Sequence, residues 1–135
     1  MLGMRNYTQK YIAACRSKIN SDLSTYKLLA ASADTKALEA FETTFFNNMV
    51  VLLDHLFVHR LRTVEGKDGN PLNEVRLLSD SMMNNNNKLS TDKTIKYDPA
   101  SSVLKYKAGD SIKLKESDFM LLSTAFFTEI ENKFM

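Results

Sequence analysis

Residues 35–62 are apolar around most of a helix's circumference. With successive side chains about 100° apart, Phe41, Phe45, Met49, Leu52, Leu53, Leu56 and Phe57 span one broad arc, and Phe46 and Val50 widen it. Such a helix has little surface to give to water. It belongs in the middle of a bundle, with neighbours on more than one side. Two charged residues, Glu42 and Arg60, fall within the arc. They are about five turns apart, too far to pair with each other. Each needs a partner from another element, because an unpaired buried charge is costly.

The rest of the chain supplies the neighbours. Residues 4–30 carry Tyr7, Tyr11, Cys15, Ile19, Leu23, Tyr26 and Leu29 at three- and four-residue steps, which predicts a first helix. Ala31-Ser-Ala-Asp34 is a short link ending in a good N-cap, so the first two helices should be antiparallel neighbours. A polar loop with Gly66 and Gly69 leads to Asn70-Pro71, a start signal for a third helix that ends near Met83, before the Asn84–Asn87 tract. A fourth helix is predicted from Ser117 or Asp118 to about Lys133, with Phe119, Leu122, Phe126, Ile130 and Phe134 as its apolar stripe. Between the third and fourth, residues 103–107 and 112–115 alternate apolar and polar around the turn sequence Ala108-Gly-Asp-Ser111, and Ile95-Lys-Tyr97 offers a short third strand. The predicted fold is mainly α: a four-helix up-and-down bundle with a small β-hairpin between helices 3 and 4. Leu104, Tyr106, Ile112 and Leu114 should face the core.

A length of 135 residues suits one domain, spanning 1–135, able to bury a core without a metal or disulfide staple. A formal net charge of +2 makes nucleic acid an improbable partner. Cys15 is the only cysteine, which excludes an internal disulfide and CxxC-type sites; it reads as a small core residue. The opening Met1-Leu-Gly-Met-Arg-Asn6 lacks the apolar stretch of a signal peptide, and the most apolar run, residues 49–58, is too short to span a bilayer. A cytoplasmic protein is expected.

His55 and His59, the only histidines, stand four residues apart, so on a helix both rings can address one metal or one ligand. HExxH and the Glu-x-x-His pair of di-iron bundles are both absent. A metal site would need a carboxylate from elsewhere, with Glu65, Asp80 and Glu129 as candidates. The corner between helices 2 and 3 adds Arg60, Arg62, Lys67 and Asn70. Two arginines and the free amides of a helix start can hold an anion, although Glu74 in the first turn would repel one. Arginine near a helix end also simply complements the macrodipole. Residues 88–115 hold seven Lys against three Asp. Lys96, Lys105, Lys107, Lys113 and Lys115 should point outward and protect a β edge.

Phe41-Glu-Thr-Thr-Phe-Phe-Asn-Asn-Met-Val-Val-Leu-Leu-Asp-His-Leu-Phe-Val-His-Arg-Leu-Arg62, with Glu65-Gly-Lys-Asp-Gly-Asn-Pro-Leu-Asn-Glu-Val-Arg76 and Ala125-Phe-Phe-Thr-Glu-Ile-Glu-Asn-Lys-Phe134, resembles a family of uncharacterised bacterial proteins of similar length. The resemblance implies no activity and no site residues. The bundle also compares with DinB-like metal-binding bundles at the level of fold, but two histidines cannot supply their three-histidine set.

The leading expectation is a domain that binds a small anionic ligand or a partner protein at the corner, through His55, His59, Arg60, Arg62, Lys67 and Asn70. The alternatives are a metal-dependent enzyme using His55 and His59, and a homodimeric interaction module.

Overall fold

The computed structural model describes residues 3–135. It is mainly helical: α1 (Gln9–Ser32), α2 (Thr35–Leu56), the one-turn α3 (Arg62–Glu65), α4 (Pro71–Asn84) and α5 (Glu116–Phe134). The arrangement is compatible with a helical bundle. As its pattern implied, α2 is central and packs against α1, α4 and α5. Tyr11 meets Leu56 and Tyr26 meets Glu42, so α1 and α2 are antiparallel. Arg16 pairs with Glu131 and Lys27 with Glu116, so α1 is antiparallel to α5 as well. No helix among the described residues is long and apolar enough to cross a membrane.

α1 starts later than its apolar stripe suggests. The Thr8 hydroxyl accepts the Tyr11 amide at 3.0 Å and caps the helix. The residues before it run as an extended strap across the α2–α3 junction. The Met4 amide donates to the His59 carbonyl at 2.6 Å, and the Leu61 amide donates to the Met4 carbonyl at 2.8 Å. Gly3 is needed for this fit, because a Cβ there would stand 2.7 Å from the His59 carbonyl oxygen. Tyr7 then packs edge-on against Phe57, with ring centroids 4.9 Å apart, at the start of an aromatic cluster that continues through Phe126 and Phe127.

The hairpin expected between the last two long helices is absent. No sheet forms among the described residues, Ile95-Lys-Tyr97 is not a strand, and the only ladder contact near it is an isolated antiparallel bridge between Lys88 and Ser111. The cause is that side chains take the amides a partner strand would use. Val103 and Leu104 donate to the two oxygens of the buried Glu74 carboxylate at 2.7 and 2.9 Å. Lys105 sits at φ 62 and donates to Ser102, and Lys107 donates to Asp110. Across the turn, the Leu114 amide and the Ile112 carbonyl both bond the buried Asn47 side chain on α2. Alternation still sets the faces. Ile112 and Leu114 are buried, Leu104 and Tyr106 pack partly buried against the core, and Lys96, Lys105, Lys107, Lys113 and Lys115 are exposed.

One glycine is fixed by both space and backbone. Gly69 has φ +86, and an added Cβ would lie 2.3 Å from the Lys96 carbonyl oxygen. Gly69→Ala is expected to lower stability by well over ~1 kcal/mol, whereas Gly109→Ala, also at positive φ but with nothing within 4 Å, should cost about 1 kcal/mol. Thermal unfolding of the two variants checks this. Equal losses would show that the Lys96 contact is immaterial.

Candidate functional site

The six residues expected to form one site are divided by a buried ionic knot. α2 ends at Leu56 instead of continuing to Arg62. Three residues of turn let the Arg60 side chain fold back over the helix end it follows. Its Nη1 donates to the Phe57 carbonyl at 3.0 Å and, more distantly, to that of Asp54; Nη2 donates to Asp54 Oδ1 at 2.8 Å and to the Leu72 carbonyl at 3.2 Å; Nε donates to Glu65 Oε1 at 2.7 Å. The Tyr11 hydroxyl donates to the Leu56 carbonyl. The carbonyls freed at the end of α2 therefore find partners in side chains, which stabilises the early stop.

Glu65, fully buried on α3, is the centre of the knot. Besides Arg60 it accepts from Asn73 Nδ2 at 2.7 Å and from Arg76 Nη2 and Nε at 2.6 and 3.1 Å. Burial pushes its carboxyl up. Hydrogen bonds from Arg76 and Asn73, with the charges of Arg60 and Arg76, outweigh that and hold it below the ordinary carboxylate range. Two arginines and two acids balance, so the knot has no excess charge for an anion. The Arg60 side chain is 0% exposed and offers a ligand no surface. The other charge in the arc, Glu42, accepts from the Tyr26 hydroxyl at 2.9 Å.

Asn70 is occupied by its capping role. Its Oδ1 accepts from the Leu72 and Asn73 amides, and its Nδ2 donates to the Glu65 carbonyl and to Asp68. Lys67 is exposed on the loop, and its carbonyl accepts the Lys96 amide at 2.8 Å. Arg62 is exposed and lines a polar cleft between α2, α4 and residues 90–95.

His55 and His59 face away from the polar cleft, although His59 also lines a third, shallow cleft together with Arg60 and Arg62. With α2 stopping between them, the helical spacing that would aim both at one ion is lost, and no group of three His, Cys, Asp or Glu among the described residues could hold a metal. They remain together as exposed walls of one cleft of ≈ 590 Å³. Tyr7, Tyr11, Leu56, Val58 and Met4 supply most of the remaining surface, so the walls are largely carbon. Tyr7 and Tyr11 stack with centroids 5.6 Å apart and planes 19° from parallel. Burial, with the proximity of Cys15 and Tyr7, pushes the Tyr11 phenol up to about 12, so it stays a neutral donor. Burial also pushes the Cys15 thiol up, which fits a passive core residue.

Sequence reasoning placed Tyr7 and Tyr11 on a buried stripe and so missed them as site residues. The available signal was their four-residue spacing, which puts Tyr7 in the strap and Tyr11 in the first turn of α1, both beside the end of α2. The remaining exposed apolar side chains include Leu28, Leu29, Phe41, Met120 and Leu121. Comparison with protein-family models, curated proteins and solved structures finds no match for this chain.

Proposed function

We propose that this protein is a binding module for a small ligand with an apolar body and a carboxylate or similar acidic group, taken into the cleft beside His55 and His59. The observation that carries the reading is the pairing of largely carbon walls with two exposed imidazoles in ≈ 590 Å³. Ligand sites are commonly concave and apolar, with a few polar groups that orient the guest. The exposed Tyr11 ring, stacked on the buried Tyr7, offers apolar surface for the ligand's body. The imidazoles are the donors for its acidic end. Neither imidazole hydrogen-bonds to protein among the described residues, so both are available.

Calorimetric titration with 4-phenylbutyrate, and with 4-phenylbutanol as its uncharged counterpart, tests this. The acid is expected to bind, and the alcohol to bind about tenfold more weakly through loss of a charge-assisted hydrogen bond. His59→Ala should bring the acid down to the level of the alcohol. Val58→Glu, at a 44% exposed position, should abolish binding of both without unfolding the chain. Unchanged affinity in Val58→Glu would remove the cleft from consideration.

A further inference from the structure

The polar cleft shares no lining residue with the histidine cleft. It holds ≈ 430 Å³ and brings two guanidinium groups, Arg62 and Arg76, together with the carboxylates of Asp54, Asp80 and Asp92, of which Asp54 is already paired with Arg60. One of the guanidinium groups is held rigidly. Arg76 is fixed by two bonds to the buried Glu65 through Nε and Nη2, while its side chain is still 23% exposed and Nη1 takes no partner among the described residues. Arg62 forms no ion pair among the described residues. One turn along α4 from Arg76, Asp80 uses Oδ1 to accept from Asn84 at 2.8 Å, which leaves its second oxygen open. The floor between is apolar, from Leu77 and Ile95.

A cleft with this composition suits neither a simple anion nor a simple cation, because either would meet like charge beside the group that binds it. A molecule carrying both charges a few bonds apart finds an opposite charge for each of its own. We propose that this cleft is a second site, for a zwitterionic α-amino acid with an apolar side chain. The carboxylate bonds Arg62 and Nη1 of Arg76, the ammonium bonds Asp80, and the side chain rests on Leu77 and Ile95. Rigid placement of Arg76 by Glu65 lowers the ordering cost of the contact.

The test uses the full chain and L-leucine as probe, followed by calorimetry and backbone amide shifts. L-Leucine is expected to bind in the millimolar range or tighter. N-acetyl-L-leucine lacks the ammonium and L-leucinamide lacks the carboxylate, and each should bind about tenfold more weakly, as loss of one charge-assisted contact implies. Arg62→Ala and Asp80→Asn are at exposed positions and should fold normally. Each should weaken L-leucine about tenfold, with no effect on 4-phenylbutyrate at the other cleft. Absence of L-leucine binding at millimolar concentration, equal binding of the three compounds, or undiminished binding by both variants would each overturn the proposal. Failure of 4-phenylbutyrate to bind would leave this outcome unaffected, because the two clefts have no wall in common.

Discussion

Glu65→Ala should destabilise the folded protein by about 3–5 kcal/mol, the cost of leaving a buried charge without its partner. Arg60 has no exposed surface and cannot turn to water, and its remaining carboxylate partner, Asp54, sits at the rim with 19% exposure. Asn73 loses a bond in the same variant, and Arg76 loses its anchor. Urea unfolding followed by circular dichroism reads the loss. The double variant Arg60→Met/Glu65→Leu should recover a large part of it, because a buried ion pair is often replaceable by apolar side chains while one bereft partner is not.

The pH dependence has a definite sign. Glu65 titrates lower in the folded chain than its ordinary value of 4.5, so its contribution is present above that value and is lost as pH falls through the lowered one. The wild type should therefore weaken on acidification below about 4.5 more steeply than the double variant. Glu74 acts in the opposite direction. Burial raises its carboxyl despite the Leu104 and Val103 amides and the charge of Lys105, so its contribution is complete below its unfolded value and declines as pH rises through the raised one. Equal acid sensitivity in wild type and double variant would mean that the knot does not stabilise the fold.

The second large effect is expected at Glu74. Glu74→Ala removes the acceptor for two amides, Val103 and Leu104, in a segment with no strand partner to replace it. Each orphaned donor costs about 1–3 kcal/mol when kept from water, and relief of the buried carboxylate offsets part of this, leaving a loss of about 2 kcal/mol. The amides of Val103 and Leu104 should exchange with solvent faster while those of α4 and α5 stay protected. Uniform acceleration across the helices would instead mean that Glu74 supports the whole core rather than this segment.

The contrast between Asn70 and Arg60 shows what could be read from the chain alone. Asn70-Pro71 marked the start of α4 correctly because a cap and a helix-start proline act on amides two and three residues away. The end of α2 was not legible in the same way. Continuing the apolar period to Arg62 is locally consistent. The helix stops because Arg60 reaches Glu65 and Leu72, contacts that exist only once α3 and α4 have docked. From the sequence alone Glu65 is only a candidate carboxylate for a metal site. Its partners show it to be the counter-charge that Arg60 required.

Residues 103–115 make a related point. Their alternation reported which side chains face inward, and Ile112 and Leu114 do so. It did not report what the backbone bonds to, because Glu74 and Asn47 are 29 and 65 residues or more away in sequence. At the candidate site, the two histidines were visible as a pair, but the pattern assigned them to the same corner as Arg60 and Arg62. The early stop of α2 buries Arg60 in the knot, and Arg62 lines the polar cleft apart from the histidine cleft, meeting His59 only at a third, shallow cleft.

The most direct test of the histidine cleft is an amide-shift titration of the ¹⁵N-labelled chain with 4-phenylbutyrate. Saturable shifts should concentrate at Met4, Tyr7, Tyr11, Val58 and His59, with Arg62 and residues 90–92 unmoved. Shifts centred on the polar cleft, or none that saturate, would contradict the assignment of ligand binding to the side where His55 and His59 stand.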